Sequence, residues 1–313
     1  MEKLVLLTIF CLLGSWSVLA DPGDAAKSRQ EFCSHKDDPN YFKELASRPQ
    51  NQIAFVNPHA GLGNGGLCWW HSQLQGSSLF LTVYRPDLAK PKGDEVSYIF
   101  EAIMKTQAVI EIPGYSNFSD FTADNEKLLI QLLADWQISQ GVFGFGFVDG
   151  IAADSMSAAS LRADMDDLFD RVENKKEITY QVLKMPGLEA HAWLVVHMTR
   201  NSQGGYHLQV LDSNFSGLQD YDYSPGQTSF AYTALGVEFA PRTHREGDLS
   251  DYQELMTNYC SGNVDPSYKL YKIRNSNNVR QPQVGDLCGD GKGHNSKFVV
   301  SGESSKLVCD LRF

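Results

Sequence analysis

The sequence predicts an α+β fold. Helical segments come first, up to about residue 172, and β-type composition follows over residues 178–238. Runs of helices followed by runs of strands are the pattern of that class. The stretch Asn201-Ser202-Gln203-Gly204-Gly205 separates two of the strand-like runs with turn chemistry, which predicts a hairpin.

The elements follow in order. Residues 1–20 read as a cleavable signal peptide: Lys3 precedes the apolar run Leu4–Leu13, and Val18-Leu19-Ala20 offers small residues for cleavage after Ala20. That run is too short to cross a bilayer, and no later stretch is long and apolar enough. The expected location is therefore secreted or periplasmic. Residues 21–50 are polar and predict a surface wrap with a short helix near Tyr41–Ala46. Residues 68 to about 82 read as a helix, which Gly76 and the serines weaken. Asp94 is the expected cap of a helix whose Val96, Ile99, Phe100 and Ile103 share a face. Residues 107–123 read as loop around Pro113-Gly114. From about Asn125 to Gln140, Leu128, Leu129, Leu132, Leu133 and Trp136 form one stripe, and Gly141 ends the helix. Another helix spans about Ala158–Val172, with Leu161, Met165, Leu168, Phe169 and Val172 inward. Its Asp164, Asp166, Asp167 and Asp170 make a solvated face and lack calcium-loop spacing. Strands are expected at Ile178–Lys184, Ala190–His197, Tyr206–Asp212 and Phe230–Glu238. The composition then shifts toward Asn, Ser, Gly and Asp. The expected organisation is a signal peptide at 1–20, a main domain at 21–245 and a small disulfide-stapled extension at 246–313.

Hydrophobic residues make up 42% of the chain, enough for a real core, and the net charge of −11 argues against a nucleic-acid binder. Five of the six cysteines follow the signal segment: Cys33, Cys68, Cys260, Cys288 and Cys309. Two bridges leave one thiol over. Cys68 is the odd one, because it alone sits in a glycine-rich turn before a tryptophan pair. Cys288 and Cys309, close in sequence and flanking strand-like segments, are the favoured first pair; Cys33 and Cys260 then form the second.

The chemistry centres on Gly61-Leu62-Gly63-Asn64-Gly65-Gly66-Leu67-Cys68-Trp69-Trp70. A cysteine beside two tryptophans is often plain core. A cysteine opening a helix is different, because the helix N-terminus favours a thiolate there. Such a nucleophile needs a base, and the base needs an orienting group. His191 begins one arm of the expected hairpin and Asp212 ends the other, so the two are brought together.

Cys68-Trp69, then His191-Ala192 followed by apolar residues, then Val210-Leu211-Asp212-Ser213-Asn214-Phe215, in that order, resembles the papain-like cysteine peptidases, closer to YopT-type proteases than to papain itself. The resemblance covers roughly residues 55–240. It implies a helical subdomain carrying the cysteine, packed on an antiparallel sheet carrying histidine and aspartate. It also implies a Cys68-His191-Asp212 triad that works on a peptide or protein substrate through a thioester. The family's upstream glutamine, an oxyanion donor, is missing between Gln52 and Cys68. Asn64 or Asn57 is the candidate substitute.

The same triad serves a transglutaminase-like acyltransferase, and an inactive papain-like binding protein is the reading from another class. No cofactor and no metal are called for. His-Glu-x-x-His is absent, Cys68-x-x-His71 has no second pair at zinc spacing, and His197 and His207 do not suffice for a metal site. Asn117-Phe118-Ser119 and Asn214-Phe215-Ser216 match the glycosylation pattern.

Overall fold

The computed structural model describes residues 24–61, 66–141, 156–184, 190–232, 237–243, 249–262, 297–301 and 304–308. The chain divides into two units, Met1–Pro266 and Ser267–Phe313. The first is mixed α+β: a helical region, then an antiparallel sheet. The expected signal segment lies outside the described residues.

The helical region opens with α1 (Arg29–His35) and α2 (Pro39–Ser47), capped by the side chains of Ser28 and Asp38. The expected surface wrap is more than that: Phe32, Phe42 and Ala46 are buried core residues. Next come α3 (Cys68–Leu81) and β1 (Thr82–Arg85), which runs directly out of it. Gly93, not Asp94, caps α4 (Asp94–Met104); Asp94 is its first residue and favours the helix dipole from there.

The expected loop at 107–123 is ordered structure. Ile110–Pro113 is β2, paired parallel with β1, and Phe118–Asp124 is α5, capped by Asn117. Glu111 on β2 is buried because Arg85 Nη1 and the Tyr259 hydroxyl both donate to it, at 2.8 and 2.9 Å. Gly114 ends β2 at φ +76°, and a Cβ there would stand 2.6 Å from the Lys90 backbone nitrogen, so the turn requires glycine. After α6 (Glu126–Trp136) the helix widens into a π turn, Gln137–Gly141.

Helix α7 (Ala158–Phe169) is capped by Ser157 and ends in a second π turn, Asp170–Asn174. Then follow β3 (Thr179–Lys184), β4 (Ala190–Arg200), β5 (Tyr206–Asp212), β6 (Leu218–Tyr223), β7 (Phe230–Tyr232) and β8 (Val237–Thr243). They form one sheet in the order β6-β5-β4-β3-β8-β7, with every neighbour antiparallel. The expected single strand at 230–238 is divided between β7 and β8, which pair with each other. The β4–β5 turn closes through Asn201 N–H to the Gly205 carbonyl, 3.1 Å, with Gly204 at φ +77°.

The sheet is covered on both faces, so β4 is apolar without alternating with polar residues. Ala192, Leu194 and Val196 join the core of the helical region, while Trp193 and Val195 join a second core with Leu161, Met165 and Leu168 of α7. A bulge between Val195 and His197 shifts the register, which puts Met198 in the second core.

Helix α8 (Leu249–Ser261) buries Tyr252, Met256 and Tyr259 in the first core, with Tyr252 stacked on Phe80 at 4.7 Å. The core of the first unit thus runs past residue 245. Of the second unit, the described residues form one antiparallel hairpin, β9 (Lys297–Ser301) with β10 (Ser304–Val308). Among the described residues no helix is long and apolar enough to cross a membrane.

Candidate active site

Cys68 is the first residue of α3, and Leu67 before it supplies no side-chain cap. The helix is seated on β4 by residues four apart on one face. Ser72 donates its hydroxyl to the Ala192 carbonyl at 2.9 Å. Gly76, one turn on, admits Leu194: a Cβ there would lie 3.3 Å from Leu194 Cδ2. Cys68 begins the same line of residues and so comes to the start of β4, where His191 stands.

His191 and Asp212 meet as the hairpin register requires. Trp193 is the direct partner of Asp212, so His191, two residues earlier on the same side of the strand, is its diagonal neighbour. The gap closes to 2.7 Å between His191 Nε2 and Asp212 Oδ1. Both are buried, at 3% and 2% exposure, and Cys68, in no disulfide, is buried at 9%. With Nε2 committed to Asp212, Nδ1 is the nitrogen left for the thiol. Burial alone would lower the His191 pKa. Hydrogen bonds to Asp212 and Cys68, with the charges of both, outweigh it and raise the pKa to about 10. Both partners therefore favour the protonated ring.

Asp212 is itself held. The Asn214 N–H donates to its Oδ1 at 2.9 Å, and the Phe215 N–H donates to its carbonyl at 3.0 Å. The Tyr221 hydroxyl also bonds to it; burial and the Asp212 charge raise the tyrosine's pKa. Tyr221 packs on Trp193 with ring centroids 4.6 Å apart. Sequence reasoning missed Tyr221 and Ser72. Ser72 had a usable signal, its i+4 spacing from Cys68. Tyr221 had only a short signal, the alternation Asp220-Tyr221-Asp222-Tyr223 in an otherwise polar stretch.

The remaining predicted residues fall as follows. Asn57 is buried; its Oδ1 accepts from the Leu67 N–H at 2.6 Å and its Nδ2 donates to Asn214 Oδ1 at 2.8 Å. Asn64, the other oxyanion candidate, lies outside the described residues. Cys33 and Cys260 form a disulfide joining α1 to α8, with Cα atoms 5.6 Å apart. Cys288 and Cys309 lie outside the described residues. His71 Nε2 is 3.0 Å from the Phe55 carbonyl, and burial pushes its pKa down to about 4. His197 and His207 do not face each other: His197 pairs with Gln209 and His207 with Thr199. Among the described residues no group of three or more His, Cys, Asp or Glu side chains is placed to hold a metal ion.

A cleft of about 170 Å³ adjoins the cluster, lined in part by His71, Asp212 and Ser213 and walled by Ile53, Phe55 and Phe215. The arrangement is a catalytic-type cluster: a buried His–Asp pair with a cysteine-bearing helix beside it. No protein-family model, no curated protein and no solved structure matches the chain.

Proposed function

We propose that the protein is a secreted thiol hydrolase of papain-like type, acting as a peptidase. One observation carries the reading: His191 is bonded on one side to Asp212 and on the other to Cys68, at the first residue of a helix. In this reading Cys68 Sγ attacks the carbonyl carbon of a peptide bond. The C–N bond breaks as His191 gives its proton to the leaving amine, and a thioester remains. His191 then takes a proton from water, whose oxygen attacks the thioester carbonyl; the acid leaves and the sulfur regains its partner. Asp212 orients the ring throughout. The order of Cys68, His191 and Asp212 along the chain, and an antiparallel sheet carrying the last two, support the papain-like form of this reading. Export rests on the Leu4–Leu13 run and is checked by the N-terminus of the mature protein, expected at Asp21.

The activity test uses the full chain, a thiol-directed iodoacetamide probe and a mixture of unmodified peptides. The expected result is labelling of Cys68, competition by peptide aldehydes, and products that have gained one water. Products that have lost ammonia and joined to an amine would instead mark an acyltransferase. Labelling and turnover that persist in Cys68→Ala would overturn the nucleophile assignment.

A further inference from the structure

The Gly66–Leu67 peptide is the last but one before Cys68, and both of its polar ends are held. Its carbonyl accepts from Gln137 Nε2 at 3.1 Å. Its N–H donates to Asn57 Oδ1 at 2.6 Å. An N–H can only donate, so Asn57 must turn its oxygen toward Leu67, and its NH₂ then faces Asn214 Oδ1 at 2.8 Å. The Asn57 backbone N–H reaches the same turn, donating to the Ser213 carbonyl at 2.6 Å. Asn214 in turn donates its own N–H to Asp212 Oδ1, the oxygen that meets His191 Nε2. His191 returns to Cys68. The contacts close a circuit from the start of α3 through Asn57, Asn214, Asp212 and His191 to the thiol. Gly66 leaves room for it, since a Cβ there would stand 2.6 Å from Asn57 Nδ2.

We propose that Asn57, acting through Asn214, is a positioning residue that locks the helix end bearing Cys68 to the turn bearing Asp212 and so sets the approach of Cys68 to His191. The inference rests on the reading of Cys68, His191 and Asp212 as one reacting unit. It gives Asn57 a different task from the oxyanion donor expected from the sequence: Asn57 acts on the geometry of the nucleophile rather than on the substrate oxygen. The task matters because Cys68 and Asp212 lie on segments 144 residues apart in sequence (212 minus 68), brought together only by tertiary contacts. Misplacement of a reacting pair by about 1 Å is enough to cost roughly a hundredfold in rate.

The test measures three things on the full-length protein: the rate of Cys68 alkylation by iodoacetamide at pH 7, the NMR titration midpoint of the His191 ring, and thermal stability. Cys68→Ala provides the background. Asn57→Ala and Asn214→Ala should each slow alkylation by roughly ten- to a hundredfold. The double variant should be little slower than the worse single, because both break one connection. Gly66→Ala should act in the same direction, by pushing the Asn57 amide aside. In each, the His191 midpoint should fall as the ring loses the sulfur. A merely structural Asn57 would lower the melting temperature and leave the rate and the midpoint in place, and that result in folded variants would overturn the inference. If Asn57→Ala does not fold, Asn214→Ala, in a half-buried turn, decides alone. His191→Ala separates the two levels. If it too leaves alkylation unchanged, the triad reading fails. If it slows alkylation and the asparagine variants do not, only the positioning role fails.

Discussion

Two histidine–aspartate contacts stand toward opposite ends of the β4–β5 hairpin, one across β4–β5 and one from β5 to β6, and the two have little in common. Toward the open end, His191 and Asp212 are 2.7 Å apart and almost wholly enclosed. Toward the turn, His207 reaches Asp222 at 2.9 Å and Asp220 at 3.1 Å, with side chains 37%, 72% and 62% exposed. Residue types and distances match. What differs is exposure and the kind of third partner: a second aspartate outside, Cys68 inside. Water screens the outer cluster, which then amounts to a surface ion pair. The inner pair is enclosed, so it is little screened, its protonated ring is favoured by Asp212 and Cys68, and removing either partner is costly. Proximity of histidine to aspartate therefore says little about chemistry; enclosure together with a nucleophile says much more.

The largest way to break this comparison is His191→Ala. On the proposed peptidase reading, hydrolysis should fall by roughly 10²–10⁴-fold, the usual share of a general acid–base group, while His207→Ala leaves turnover essentially at the wild-type level. Steady-state kinetics on both variants checks it, and equal losses would erase the distinction. Asp212 comes next. Asp212→Ala leaves a buried imidazolium without its carboxylate and should lower the unfolding free energy by about 3–5 kcal/mol unless the ring gives up its proton. Asp212→Asn keeps an acceptor toward the ring and should cost less. Urea unfolding at pH 7 ranks the two.

The pH dependence sharpens the contrast with a second buried histidine. His191 is raised from 6.5 to about 10, so its folded state binds a proton that the unfolded chain releases. Its stabilisation is complete below about pH 6.5 and is lost as pH rises through about 10. For His71, burial, aided by the charge of His191, outweighs the Phe55 carbonyl and the charge of Asp212, and the pKa is lowered from 6.5 to about 4. Its neutral form stabilises the fold above about pH 6.5, and this is lost as pH falls through about 4. Stability should therefore peak near pH 6.5 as far as these two groups govern it. Urea midpoints across pH should show the alkaline limb flattened in His191→Gln and the acid limb flattened in His71→Gln. Unchanged limbs would contradict the two protonation states.

Much of this was legible in the sequence, for physical reasons that differ by residue. The leucine stripe of α6 and the Asn201–Gly205 turn are local signals, and both elements formed. Cys68, His191 and Asp212 were singled out because a turn before a helix and the two ends of a hairpin are positions a sequence can specify. Short Ile110–Pro113 gave no periodicity to read, and Asn117 looked like loop chemistry when it was a helix cap. Strand β6 was missed because it is an edge strand with one residue in six buried, and its only alternation is the short polar/aromatic run Asp220-Tyr221-Asp222-Tyr223. Asn57 was noticed for its donor chemistry, but its partners stand 10 and 157 residues away, and that choice belongs to tertiary structure.

The smallest expected effect closes the comparison from its outer end. His207 is held mainly by Asp222, then by Asp220, and both raise its pKa above the ordinary value against a small burial cost. A raised pKa means stabilisation that is present below about pH 6.5 and lost as pH rises through the folded-state value. Because all three side chains are open to solvent, the contribution should be about 0.2–1 kcal/mol at most. It should also shrink in salt, since at 1 M the screening length is about 3 Å, comparable to the separation of the charges. His207→Ala should therefore cost about a few tenths of a kcal/mol at about pH 5.5 in low salt, and progressively less as pH rises through the raised folded-state value. The companion measurement is the salt dependence of His191→Ala, whose cost should barely change because enclosed charges are poorly screened. Denaturant midpoints for the two variants, at low and high salt, decide the matter. If salt abolished the His191 effect as readily as the His207 effect, the inner pair would be as wet as the outer one, and enclosure would no longer explain why only one end of the hairpin is poised for chemistry.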